Sequence, residues 1–412
     1  MTPYKPMERS RHTATLIDDK LYILGGYKPL EVGKDFFYLD VSVPFITRNL
    51  LWKDLSSINT VPSHYHAVSV NGGENNNSLF LYGGYVDVTV TDFVYIFNPK
   101  SNSWSIPQII DNIPPKLNGN ISMKKNVLTG IIDRNGKMYL WGGLVLGKNT
   151  HFFNNDMLIL DTKKLIWELG SSFDAPTARM NYGATLLPDN RIIYMSGFNG
   201  DVLTLNQTTS GIVPSGRNGF SAVLGSDGQR VIIYGGAPAL NQKFTPENSL
   251  YELNVINFEW HIPKISGIIP KSRAYHSANV IGKYMVITFG EGYDRFTESD
   301  ILLLDISNVD EYIWTYEFYP PPLPQSSTSS GSLIGGATLS SVEIEQIQNE
   351  FITNHEPIST PDSIINNCSN HGQESIPIVD DNRLTLHELK QEIQDLRQII
   401  IQSNKQSTNP IK

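Results

Sequence analysis

Six times in the first three quarters of the chain a short apolar run stops at glycine. The runs read ILGG at Gly25, LYGG at Gly83, LWGG at Gly142, YMSG at Gly197, IYGG at Gly235 and TFGEG at Gly290. Unbroken apolar runs of this length, rich in Tyr, Ile and Leu, predict strands covered on both faces rather than amphipathic helices. Glycine at the strand end predicts a positive φ and a close approach of neighbouring backbone. Recurrence at an interval of tens of residues marks a repeat architecture.

More than the glycine step recurs. Upstream stands a basic residue, two variable residues, an aromatic or His, a small residue and Ala: RSRHTA from Arg9, RMNYGA from Arg179, RNGFSA from Arg217 and RAYHSA from Arg273. Repeats two and three carry Ser63 and Lys124 at the opening position in this register. Downstream, a second apolar strand ends in Asp or Asn, as in FFYLD to Asp40 and MLILD to Asp161, and a Trp follows. Five of the six tryptophans, Trp52, Trp104, Trp167, Trp260 and Trp314, fall in that slot. Repeat four departs from the pattern: it is short, has VLTLN (202–206) as its only later strand, and lacks the Trp.

These motifs resemble the kelch repeat of the galactose oxidase-like and attractin-muskelin-like propeller superfamily, and among its members most resemble fungal kelch-repeat proteins. The resemblance covers roughly residues 9–319. It implies an all-β fold, a six-bladed kelch β-propeller with one four-stranded blade per repeat and blade four possibly incomplete. Its structural motif comprises Gly25, Gly26, Gly83, Gly84, Gly142, Gly143, Gly235 and Gly236 with the five slot tryptophans. Radial closure protects the edges that a lone sheet would expose. The expected domains are the propeller over 1–322, a disordered Pro/Ser/Asn-rich linker over 323–383, a short coiled coil over 384–403 and a disordered terminus over 404–412.

Composition narrows the setting. The chain has 412 residues and a formal charge of -9. Eleven acidic against five basic residues from Glu343 onward place most of that charge in the tail. A general nucleic-acid surface needs a basic footprint that is absent, so no nucleic-acid partner is expected. The one cysteine, Cys368, excludes an intrachain disulfide and suits a cytoplasmic setting. The N-terminus MTPYKPMERSRH lacks the apolar segment of a signal peptide, and no run reaches the ~20 apolar residues of a membrane helix. A cell-surface or secreted propeller, recognising protein or glycan, is the alternative should a signal sequence precede the residues shown.

The tail carries one ordered-looking element. Thr385 and Glu388 form a capping box, and Leu386, Leu389, Ile393, Leu396 and Ile400 follow at alternating spacings of three and four. Ile at a and Leu at d favour a parallel pair, with Glu392 facing Arg397 of the other helix. A homodimer through this stripe is therefore expected, docking on the propeller or on another partner being the other use of two heptads.

Chemistry is sparse. Galactose oxidase uses copper and a Tyr crosslinked to Cys, but the propeller of this chain contains no Cys, so the oxidase reading fails at the site and no cofactor is expected. His64 and His66 stand two apart on an expected strand; in the register above, His66 shares the position of His12 and His276, which indicates packing rather than metal binding. No P-loop, dinucleotide fingerprint, GxSxG or HExxH occurs. Two sets of binding residues remain. The resemblance implies that the opening cations Arg9, Lys124, Arg179, Arg217 and Arg273 ring the channel and grip acidic groups; the opposing reading ties each to the architecture. The unequal loops after the glycine step offer His151, Phe152, Phe153, Phe244, Tyr293 and Phe296 as anchors. The expected function is a non-catalytic protein-binding scaffold, its protein partner unidentified.

Overall fold

The computed structural model describes residues 3–321 apart from 30, 86–91, 113–123, 147–150, 172, 174, 200–208, 239–248 and 293–295. Among them the only helix is one 3-10 turn, Ser56–Ile58; the rest is strands and connections, as the apolar runs require. In blade one, Thr13–Ile17, Lys20–Leu24, Phe36–Asp40 and Lys53–Asp54 follow from the inner to the outer edge, each antiparallel to the last. The inner strands of successive repeats then touch in a closed circle: Thr13–Ile17, Tyr65–Gly72, Gly130–Ile132, Gly183–Leu186, Ser221–Leu224, Ser277–Ile281 and back to the first. The fold is an all-β propeller.

The described residues build five blades, not six. Repeat four supplies only the hairpin of Gly183–Leu186 and Ile192–Met195, which fills the circle between blades three and five. Length is the cause. By Ser210 the chain already pairs in parallel with the outer strand of blade five, Glu259–His261. It has therefore covered from Gly197 to Ser210 what blade five covers from Gly236 to Ile265, where the parallel strand on blade six begins. The strand expected at 202–206 lies outside the described residues.

Glycine steps lock neighbouring repeats together. Gly83 has φ +67, and a Cβ there would stand 2.3 Å from the Lys125 carbonyl oxygen of the next repeat. The following glycine turns inward: a Cβ on Gly26 would lie 2.8 Å from His12 Cβ of its own inner strand. Its amide is spent across the seam, donating to the His64 carbonyl at 2.8 Å; Gly143, Gly197, Gly236 and Gly290 donate to Arg179, Arg217, Arg273 and Arg9 in the same way. The Asp or Asn that ends each third strand accepts amide hydrogen bonds from the turn after it, as Asp40 does from Ser42 and Asn254 from Ile256.

Tryptophans seal the seams between blades. Each outer-strand Trp packs on the preceding blade: Trp167 on Tyr82 at 5.9 Å between ring centroids, Trp314 on Tyr234 at 5.3 Å and Trp52 on Phe289 at 5.8 Å. These acceptors are the residues just before the glycine step. Repeat four has no such Trp to place on blade three, and there the acceptor position is itself Trp141, the sixth tryptophan. Its indole is buried, 4.8 Å from Tyr194 and 5.0 Å from Tyr182. One large side chain thus replaces the usual pair.

The ends of the propeller meet at blade one. Tyr4 bridges to Trp52, while the last described strand, Glu317–Phe318, pairs with Phe45–Ile46 and stacks Phe318 on Phe45 at 4.5 Å. Trp141→Ala is expected to cost about 3–5 kcal/mol. Hydrogen exchange should show the Gly183–Leu186 hairpin losing protection before any other inner strand; uniform loss would contradict the compensating role.

Candidate binding site at the channel mouth

The opening motif of each repeat approaches the central channel in one register, and the third residue of each motif is left-handed. Arg11, His66, Val127, Asn181, Gly219 and Tyr275 have φ of 58°, 57°, 61°, 51°, 64° and 53°. Their amides and carbonyls form a closed cycle. Arg11 N–H donates to Tyr275, His66 to Arg11, Val127 to His66, Asn181 to Val127, Gly219 to Asn181 and Tyr275 to Gly219, at 2.7 to 3.3 Å. The cycle crowns a channel of about 470 Å³.

Counting back two residues fixes the opening positions as Arg9, His64, Lys125, Arg179, Arg217 and Arg273. This corrects the sequence register by one residue in repeats two and three. Lys124 is exposed, and Lys125 takes the ring position expected of it. His66 shares a station with Arg11 and Tyr275, not with His12 and His276, and has positive φ in place of the regular strand geometry expected for the His64/His66 pair. Repeat three lacks the aromatic and the Ala, and two adjacent lysines gave no local means of choosing between registers.

The opening cations are buried and spent inside the protein. Arg9 donates to the Gly25 carbonyl at 3.0 Å and to Asp35 at 2.7 Å, and its guanidinium lies 4.7 Å from the Phe37 ring. Arg179, Arg217 and Arg273 donate to the carbonyls of Ser196, Gly235 and Phe289, and Arg273 also to Asp300 at 2.7 Å. Lys125 bonds the Asp156 carboxylate and its carbonyl. Burial pulls the Arg217 guanidinium down to about 10, against the opposing effect of Tyr251. Burial alone would raise Asp35, but the Arg9 hydrogen bond and charge, with Lys28, keep it below the usual carboxylate range. This geometry supports the architectural reading: each cation ties the end of a second strand to its own inner strand.

At the rim the side chains differ from repeat to repeat. Tyr275 lies across the Gly219 station, where a Cβ would meet its ring at 2.6 Å, and donates to Asn218 Oδ1 at 2.9 Å. The Arg11 guanidinium covers the Tyr275 ring at 4.1 Å and reaches Glu291 at 3.3 Å. His66 meets Tyr275 and Tyr85 edge-on, both at 6.0 Å, and Tyr85 stacks on Tyr65 at 4.9 Å. Burial, then the charge of Arg11, hold His66 well below its ordinary pKa, so it is neutral. Arg11 is the only permanently charged residue among the described residues lining the channel. Sequence reasoning passed over these six positions as the variable part of the motif; their variability inside a fixed frame was the available signal.

Of the loop aromatics, Phe152 is half exposed on the strand His151–Phe153, Phe153 packs on Phe198 at 6.0 Å, and Phe296 is 73% exposed. The side chain of His151, and Phe244 and Tyr293 altogether, lie outside the described residues, as do Leu386, Leu389, Ile393, Leu396 and Ile400. Among the described residues no group of three or more His, Cys, Asp or Glu could hold a metal ion, and no helix is long and apolar enough to cross a membrane.

A closed circle of repeats, glycine steps and interblade tryptophans defines a kelch-repeat β-propeller. Residues 1–123 and 203–334 match the KLHDC2/KLHL20/DRC7 kelch-repeats domain, and the chain belongs to that family. It is similar to Kelch domain-containing protein 3 of Bos taurus, with 24% identity over 341 residues, 73% of this chain and 84% of that protein. The Homo sapiens form of that protein is 23% identical over 340 residues, again 73% and 84%. Host cell factor 1 of Homo sapiens is 23% identical over 237 residues, 49% of this chain and 11% of its own length. The solved structure of YjhT superposes with a TM-score of 0.54 at 18% identity, covering 76% of this chain and 99% of that one; this likeness concerns the fold alone.

Two expected outcomes follow from the buried groups. Arg217→Glu should destabilise the propeller by about 3–5 kcal/mol, since it puts an unpaired anion among carbonyls; a variant that melts like the parent would return Arg217 to the binding surface. Acid should also weaken the fold. Burial lowers His12, His66 and His276, the last to about 3, with Arg9, Arg11 and Arg273 respectively adding to the effect. The unfolded chain therefore takes up protons first: stability is fully present above the unfolded value near 6.5 and falls from there toward pH 3. Urea midpoints should decline steadily over that window, less so in His276→Gln; a flat profile would refute the assignment.

Proposed function

We propose that this protein is a non-catalytic protein-binding platform that holds a partner segment over the channel mouth, read by Arg11, His66, Asn181 and Tyr275. One observation carries this reading. Six equivalent positions share one left-handed backbone and one hydrogen-bond cycle, yet bear six different residues. The backbone constraint accounts for the conformation and leaves the side chains unconstrained by it. Such diversity on a rigid repeated frame is how repeat proteins build specificity. Aromatic and Arg side chains at the rim are also the types that dominate interface energetics. The loop that carries exposed Phe296 also carries Glu291, which contacts Arg11.

Pairing of residues 384–403 into a homodimer, and a cytoplasmic setting, belong to the same proposal and rest on the sequence alone. Dimerisation would raise avidity for a partner without new contacts.

Affinity capture with the full chain, compared with Tyr275→Ala and Arg11→Ala, tests the mouth. Each truncation should weaken a captured partner by about 2 kcal/mol or more while leaving the melting temperature close to the parent's. Capture of the same proteins at the same strength by both variants would sink the reading.

A further inference from the structure

Three blades carry a fifth strand on their outer edge, laid down by the chain as it enters the repeat. Ile110–Asp111 runs parallel to Ile166–Leu169 in blade three, Ser210–Gly211 to Glu259–His261 in blade five, and Ile265–Gly267 to Tyr312–Thr315 in blade six. Asp111, Gly211 and Gly267 stand opposite Trp167, Trp260 and Trp314. In blades three and five the next residue donates its amide to the Trp carbonyl, Asn112 at 3.3 Å and Ile212 at 2.7 Å. A proline stands three positions beyond each of the residues opposite Trp: Pro114, Pro214 and Pro270. In blade one Tyr4 bridges to Trp52.

Blade two departs from this rule. Asn59, three positions before Pro62, holds the place of Asp111, Gly211 and Gly267 in the chain, but it follows the 3-10 turn Ser56–Ile58 and its polar groups are spent locally. Its N–H donates to the Ser56 carbonyl at 3.2 Å, its side-chain amide to the Lys34 carbonyl of blade one at 2.7 Å, and its Oδ1 accepts from Val61 at 3.0 Å. Among the described residues the outer strand Ser103–Ser105 therefore pairs with Val94–Asn98 on one side and with no strand on the other. The packing registers the open edge. Ser103 and Ser105 are exposed and Trp104 is half-buried, whereas Trp52, Trp167, Trp260 and Trp314 are between 1% and 6% exposed.

We propose that the outer edge of blade two receives an extended segment of a partner protein, added in parallel as the fifth strand. An unpaired edge is a template for strand addition, in which main-chain bonds attach the segment and its side chains select it. The strands already seated on the equivalent edges specify the chemistry. From the residue opposite Trp onward they read Asp-Asn-Ile-Pro, Gly-Ile-Val-Pro and Gly-Ile-Ile-Pro. The segment thus places a small or acidic residue opposite Trp104, carries β-branched aliphatics after it, and ends its pairing at a proline, which has no N–H to donate. This edge lies on the outer flank and shares no residue with the channel mouth, so its failure leaves the function proposed above untouched.

The test uses the full chain labelled with 5-fluorotryptophan, which gives six resonances, each assigned by its Trp→Phe variant. The probe is a peptide of residues 208–215, TTSGIVPS, capped at both ends. The expected result is a saturable shift of the Trp104 signal, with Trp167, Trp260 and Trp314 unmoved because their edges are already filled. N-methylation of the peptide at Ile212, the amide that meets the Trp260 carbonyl in blade five, should weaken binding about tenfold or more, since it removes the main-chain bond to Trp104. No saturable shift of Trp104, equal binding of the N-methylated peptide, or an equal shift of Trp167, Trp260 or Trp314 would each overturn the proposal.

Discussion

The propeller depends on a cycle of six backbone hydrogen bonds around the channel mouth, each made by a residue in the left-handed region. Five of those residues are not glycine, and Val127 is β-branched, so each left-handed turn costs about 1–3 kcal/mol when taken alone. The cycle offsets that cost collectively. Every amide in it finds a carbonyl on the neighbouring repeat, and losing one member would leave a donor and an acceptor unmatched beside a buried strand. One backbone conformation, with φ between 51° and 64°, recurs at all six stations. In five of the six steps a glycine adds a further bond, from one repeat to the opening carbonyl of the next.

Repeat four shows what the architecture requires. A hairpin that contributes its inner strand, its Asn181 link and its Arg179 carbonyl is enough to close the circle. The outer strands serve a different end, carrying the tryptophans that fill the wedge between diverging blades. In repeat four, which has no Trp in that slot, Trp141 of blade three fills the wedge from the other side. Closure and outer packing are therefore separable, and the chain relaxes the second while keeping the first.

The same separation distinguishes frame from reader. Opening cations, glycine steps and tryptophans repeat because they solve one problem several times; their guanidiniums are buried against carbonyls and carboxylates. Rim residues two positions on are under no such constraint, and in repeat two a buried His64 takes the place of the cation. Departures from the repeat, rather than the repeat itself, mark where this protein differs from a symmetric scaffold.

Much of this was legible in the sequence by itself. The apolar runs, the glycine pairs with their positive φ, the recurrent slot of the tryptophans and the repeat count all follow from short-range pattern, because burial and turn geometry act on a few adjacent residues. The tertiary structure alone decided three things. It moved the opening motif by one residue in repeats two and three, reduced six expected blades to five with a hairpin, and gave the opening cations, for which the sequence left binding and architectural roles both open, carbonyl and carboxylate partners inside the protein. Each of these depends on partners far away in the chain: the register of His64 and Lys125 is set by carbonyls and amides of other repeats, the blade count by where Ser210 finds blade five, and the fate of Arg217 by the Gly235 carbonyl it reaches. A local pattern specifies which residues seek burial, while which groups they meet there is settled only when the circle closes.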